Sequence, residues 1–144
     1  MRPLRLTLTG VRSYAGTCSI DFTDKRLLAI LGNTGVGKST ILESIIFVLY
    51  GACSWSKDPK VAYELIGKGC PSMHVAFEFS ANGREWSVRR TLHADNKKRP
   101  QAVLEPLAED AADMRVNDMR AVTQAVTRII GLDWEGFVST VLLR

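Results

Sequence analysis

The sequence predicts an α/β domain in which an antiparallel β-meander packs against a strand–loop–helix unit. Three observations carry this. Leu27-Leu28-Ala29-Ile30-Leu31 is a continuous apolar run, the pattern of a strand covered on both faces. A glycine-rich stretch, residues 32–37, ends it abruptly and leads into an apolar segment with helical spacing. Elsewhere, short segments alternate apolar and polar residues and are separated by turn signals. The 144 residues are enough for one domain with its own core, and 46% hydrophobic with 24% charged residues is an ordinary globular balance.

In chain order, Leu4-Arg5-Leu6-Thr7-Leu8 alternates as a half-buried strand does. Residues 10–16 read as a turn region, and Cys18-Ser19-Ile20-Asp21-Phe22 alternates again, so residues 4–22 form two strands of a hairpin or meander. Residues 38–49 place Ile41, Leu42, Ile45, Ile46, Val48 and Leu49 around most of a helix, with Glu43 and Ser44 on the remaining arc. Gly51 suits the position just past its end. Residues 52–71 read as loop with room for one helical turn. His74-Val75-Ala76-Phe77-Glu78-Phe79 and Trp86-Ser87-Val88-Arg89-Arg90-Thr91-Leu92 are partner strands joined by an Asn82-Gly83 turn. Residues 101–107 are read as a third strand, ended near Pro106. Asn117 is expected to cap a helix running to Ile130, with Met119, Val122, Val126, Ile129 and Ile130 on one stripe. Gly131 stops that helix, and Asp133 caps a last segment reaching Leu143. The apolar end at Val141-Leu142-Leu143 predicts a cut inside a larger protein.

Composition narrows the function classes. No apolar run is long enough to span a bilayer and no signal peptide is evident, so a cytoplasmic protein without membrane contact is expected. Cys18, Cys53 and Cys70 lie far apart, without the spacing of a zinc site or disulfide framework. The net charge of +4 is concentrated in residues 84–99, where Arg84, Arg89, Arg90, Lys97, Lys98 and Arg99 face only Glu85 and Asp95. Such a stretch attracts a polyanion, or else is a solvated hairpin with a charged loop. On a strand Arg89 and Arg90 point to opposite faces, so at most one of them joins a given surface.

Gly32-Asn33-Thr34-Gly35-Val36-Gly37-Lys38-Ser39 fits G-x-x-x-x-G-K-[ST] in full, between a buried strand and a buried helix. Phosphate oxygens need a ring of backbone N–H donors, which the chain supplies only by curling tightly; Gly32, Gly35 and Gly37 permit that curl. The unpaired N–H groups opening the helix carry partial positive charge. Lys38 is expected to bridge the β- and γ-phosphates, Ser39 to place its hydroxyl on Mg²⁺, and Thr40 to add a hydroxyl near the α-phosphate. The pattern is specific for nucleotide binding and says little about the task. Hydrolysis also needs a carboxylate on the metal and a group to orient water. Asp133 reads as a helix cap, and Glu109, Asp110 and Asp113 as a solvated face. The hydrolytic half of the site is therefore expected outside this chain, which by itself should be nearly inactive.

The motif and its neighbours resemble the SbcC-type SMC-like ABC ATPases, the ATPase subunits of DNA double-strand-break nuclease complexes. The likeness runs through Met1-Arg2-Pro3-Leu4-Arg5-Leu6-Thr7-Leu8, Ser13-Tyr14 and Ile20-Asp21-Phe22. It continues through the glycine motif with Thr40-Ile41-Leu42, then Ile46-Phe47-Val48-Leu49-Tyr50-Gly51. Val75-Ala76-Phe77-Glu78-Phe79, Gly83-Arg84-Glu85-Trp86-Ser87-Val88-Arg89-Arg90 and Phe137-Val138-Ser139-Thr140-Val141-Leu142-Leu143 complete it. The chain departs from the usual pattern at Asn33, where proline is common, and in the longer polar run from Ser54 to Lys60.

The resemblance implies a P-loop NTPase of the ABC head type, with residues 1–144 as its N-terminal lobe, cut before the Q-loop glutamine and the coiled coil. A C-terminal lobe of the same protein would supply the remaining catalytic motifs. Two heads would sandwich ATP as a homodimer and regulate an SbcD-type nuclease partner on double-stranded DNA in the nucleoid. It further implies that Arg12-Ser13 and Ile66-Gly67-Lys68 reach the nucleotide. For DNA, phosphate contact by Arg84, Arg89, Arg90, Lys97, Lys98 and Arg99 would be independent of base sequence and sensitive to salt. Two alternatives stay open: a head of RecF, RecN or phage-defence type, and a non-catalytic ATP-gated DNA clamp.

Overall fold

The structure is a computed structural model, and it describes residues 1–23 and 38–140. The expected strand Leu27-Leu28-Ala29-Ile30-Leu31, the loop residues Gly32, Asn33, Thr34, Gly35, Val36 and Gly37, and Val141-Leu142-Leu143 lie outside the described residues. So does the Lys38 side chain.

Five strands form one antiparallel sheet: β1 (Arg2–Thr9), β2 (Cys18–Asp21), β3 (Ser72–Ala81), β4 (Arg84–His93) and β5 (Gln101–Pro106). Their spatial order is β2-β1-β3-β4-β5. The expected α/β class and antiparallel sheet are therefore present. Asn82 and Gly83 both adopt positive φ, 54° and 75°, which fits a two-residue turn between twisted strands. Alternation sorts the residues between faces. Leu6, Leu8, Val75, Phe77, Phe79 and Val88 are fully or almost fully buried on one face. Thr7, Thr9, His74, Thr91 and Arg89 lie on the other.

Helix α1 (Lys38–Tyr50), α2 (Met119–Ile130) and α3 (Trp134–Thr140) supply much of the remaining core, together with Val11, Phe22, Cys53, Ala62 and Leu65 from the connecting segments. Phe47, Ile46, Val48 and Leu49 are completely buried, as a helix apolar around most of its circumference requires. The stripe on α2 holds, with Val122 and Val126 at 0% exposure. Its cap does not sit at Asn117. Asp118 is the N-cap, and its side chain accepts from the amides of Arg120 at 3.1 Å and Ala121 at 2.9 Å. Either side chain suits a cap; the one whose carboxylate reaches the N2 and N3 amides takes the role. Gly131 ends α2 in the left-handed conformation, φ 81°. Asp133 does cap α3, accepting from the Gly136 amide at 2.8 Å.

Arg90, a DNA candidate by sequence, is instead fully buried, 1% exposed, and heads the large buried side chains among the described residues. Its strand parity turns it to the helix side, beneath the end of α1. A helix leaves its last four carbonyls without intrahelical partners. For α1 these are Phe47, Val48, Leu49 and Tyr50. The Gly51 amide donates to Phe47 O at 2.7 Å. Arg90 Nε donates to Val48 O at 2.8 Å and Nη2 to Leu49 O at 3.1 Å. Thr123 Oγ1 lies 3.5 Å from Tyr50 O and accepts from Arg90 Nη2 at 2.7 Å. One guanidinium thus joins β4 to the ends of α1 and α2, and its charge opposes the negative end of the α1 dipole.

Burial lowers the Arg90 pKa from 12.5 to about 10. The unfolded chain holds this proton more tightly than the fold does, so the shift adds stability only above the unfolded value and withdraws it as pH falls through about 10. At neutral pH the cation is intact and its full desolvation cost is in force, offset by the carbonyls it serves. Replacing Arg90 by alanine strands those carbonyls and leaves a void. We expect Arg90→Ala to cost about 3–5 kcal/mol in denaturant unfolding, and the exposed Arg89→Ala less than about 1 kcal/mol.

Candidate functional site

Helix α1 opens at Lys38 and has no acidic residue in its first turn. Nothing of its own neutralises the positive end of its dipole, a condition that suits a bound anion. Ser39 is exposed, placing the hydroxyl expected to meet Mg²⁺ where solvent reaches it, whereas Thr40 is buried at 2% exposure. Among the described residues no three His, Cys, Asp or Glu side chains gather to hold a metal. An exposed hydroxyl beside a helix start that carries no acidic residue leaves that end of α1 open to an anion.

The other expected residues are brought together by backbone pairing. The Gly67 amide donates to Gly10 O at 2.7 Å, and the Arg12 amide to Leu65 O at 2.8 Å. Val11 bridges Ile66 in antiparallel fashion. The turn carrying Arg12 and Ser13 is therefore stitched to the loop carrying Ile66, Gly67 and Lys68. Arg12 adopts φ 46°, unusual for a residue with a Cβ. A Cβ on Gly67 would lie 2.7 Å from Arg12 O, so only glycine permits this approach. Ser13 and Lys68 are exposed and Arg12 is half-buried.

Arg12 is positioned by residues that sequence reasoning did not single out. Its guanidinium carbon stands 5.4 Å from the centre of the Trp55 ring, a cation–π contact. Next to Trp55, Ser54 donates from both its amide and its hydroxyl to the Glu43 carboxylate, the amide bond being 2.8 Å. Glu43 is only 7% exposed and stands one helical turn after Ser39, on the same face of α1. A chain of contacts thus runs from the first turns of α1 through Glu43, Ser54 and Trp55 to Arg12. The sequence signal was an acid at a core position of an apolar helix, which demands donors from elsewhere.

Cys53 sits behind this chain. Burial chiefly, then the charges of Glu43 and Glu64, push its thiol up to about 12, with Arg12 acting the other way. Thiolate is the reactive form. Alkylation at pH 8 followed by mass spectrometry should modify Cys18 and Cys70, both half-buried, and spare Cys53 until the chain is unfolded.

The basic stretch is divided. Arg89 pairs with Glu105 at 3.0 Å, and Arg115 reaches the same carboxylate at 3.7 Å. Arg84 is half-buried. Lys97, Lys98 and Arg99 are exposed in the loop between β4 and β5, without an ion pair among the described residues. No helix among the described residues is long and apolar enough to cross a membrane.

The glycine-motif sequence, read with the apolar helix α1 and the antiparallel sheet, is that of a P-loop NTPase. Residues 5–136 match the AAA domain family designated AAA_23, and the chain belongs to that family. Among its relatives is the SbcC component of the SbcCD nuclease of Deinococcus radiodurans, 34% identical over 99% of this chain and 16% of the relative. Another is a probable DNA double-strand break repair Rad50 ATPase of Aquifex aeolicus, 29% identical over 99% of this chain and 14% of the relative. The chain thus spans about one sixth of the length of such relatives or less. A solved structure reported under "Structural biochemistry of ATP-driven dimerization and DNA stimulated activation of SMC ATPases" superposes with a TM-score of 0.74. It is 23% identical, over 100% of this chain and 87% of that one, and shows the shared fold.

Proposed function

We propose that this chain is the ATP-binding N-terminal lobe of an SMC-like ATPase head. Completed by a C-terminal lobe of the same protein, it binds Mg-ATP, closes on a second head, and regulates an SbcD-type nuclease acting on double-stranded DNA ends. The observation that carries this reading is the Walker A sequence feeding α1, with the Arg12 turn and the Gly67 loop joined to each other by backbone pairing. Kinship with the SbcC component of the SbcCD nuclease supports the assignment to DNA-end processing.

In this reading Lys38 neutralises phosphate charge, Ser39 holds the magnesium, and Arg12, fixed against Trp55, presents a guanidinium to the nucleotide. The bound metal ion supplies charge neutralisation on the phosphates. A carboxylate for the metal and a group that orients water would have to come from the remainder of the protein. The expected site of action is the cytoplasmic nucleoid.

Lys38→Ala should weaken ATP binding at least about tenfold by calorimetry while leaving the unfolding midpoint in place; unchanged affinity would refute the nucleotide assignment. Lys97, Lys98 and Arg99 are the proposed DNA contacts on this lobe. Reversing Lys97 and Lys98 to glutamate should weaken duplex binding and lower the slope of log affinity against log salt by about 2. If neither quantity changes, that loop is solvated surface.

A further inference from the structure

Among the described residues Trp55 is the only aromatic side chain that stands exposed, at 47%. Holding a surface side chain in place loses conformational entropy, yet the short turn that carries this one is tied down from three directions. The Cys53 amide donates to Ser56 O at 3.2 Å and closes the turn. Trp134 Nε1 of α3 donates to Cys53 O at 2.9 Å. Ser54 donates from its amide and its hydroxyl to the buried carboxylate of Glu43 in α1.

Arg12 is fixed independently. Its backbone sits in the left-handed region at φ 46°, with its amide bonded to Leu65 O at 2.8 Å. Among the described residues no carboxylate lies within ion-pair distance of its guanidinium. The guanidinium carbon stands instead over the Trp55 ring, 5.4 Å from its centre. A planar cation and an indole, each anchored through its own backbone, thus meet where solvent reaches both. The pair stands beside the helix that carries the phosphate-binding sequence. Glu43, which holds the Trp55 turn, follows Ser39 by one helical turn, about 6 Å along the axis. Guanidinium and indole share one recognition chemistry, the face of a flat aromatic ring.

We propose that Arg12 and Trp55 form a platform on which the base of the bound nucleotide stacks, with Trp55 the positioning residue that holds the guanidinium for it. This role rests on the nucleotide reading of the domain and specifies the part of the nucleotide that Arg12 meets. Because both members are anchored without a ligand, binding loses little further ordering entropy. The phosphate site supplies the affinity that any triphosphate shares, and the platform supplies the part that requires a base.

Calorimetry on the full chain with ATP and with inorganic tripolyphosphate, each with Mg²⁺, separates the two parts. Trp55→Leu keeps apolar bulk and removes the ring, whereas Trp55→Phe keeps a ring; both are surface changes and should leave the unfolding midpoint in place. Trp55→Leu should weaken ATP at least about fivefold and tripolyphosphate less than about twofold, and Trp55→Phe should recover most of the ATP affinity. The proposal is overturned if the leucine variant weakens both ligands alike, which assigns Arg12 to the phosphates, or changes neither, which leaves Trp55 a surface residue. Failure of the unaltered chain to bind either ligand overturns the nucleotide reading itself and the platform with it. An unaltered chain that binds both equally well overturns the platform alone.

Discussion

Helix α1 ends in the interior, and a helix end in the interior must find donors for four carbonyls. That constraint shapes the domain. Arg90 comes from the middle of β4 and Gly51 from the chain immediately after α1, and together they serve three of the four, while Thr123 Oγ1 of α2, which also donates to Met119 O at 3.2 Å, lies 3.5 Å from the fourth. The sheet cannot slide under the helix, nor α2 move away, without breaking charge-assisted bonds in a dry environment. Buried charge is costly, so the arrangement persists because each alternative strands several acceptors at once.

Local patterns read well because they are local. Alternation placed β1 to β5, helical spacing placed α1 and α2, and Asn82-Gly83 and Gly131 marked the breaks between elements. Arg90 was misread because a row of basic residues looks alike from the sequence, and only pairing decides which face each one takes. Its partners are backbone carbonyls roughly 42 positions away, which no side-chain pattern announces. The choice between Asn117 and Asp118 turned on a reach of one residue.

The candidate site shows the same division. The glycine motif is legible in full, though its loop lies outside the described residues. That Arg12 and Gly67 belong together came from family likeness, and the geometry accounts for it through the pairing of Val11 with Ile66. Glu43 was read only as part of the polar arc of α1, though it is buried, and the roles of Ser54 and Trp55 escaped notice. Their connection depends on the loop after α1 folding back along the helix, and a polar run gives no periodicity to follow.

Helix α1 carries the phosphate-binding sequence at one end and is anchored through Arg90 at the other. It has little freedom to rotate about its axis or creep along it. Any displacement of its first turn along the axis would strain the bonds that tie its last turn to β4 and α2.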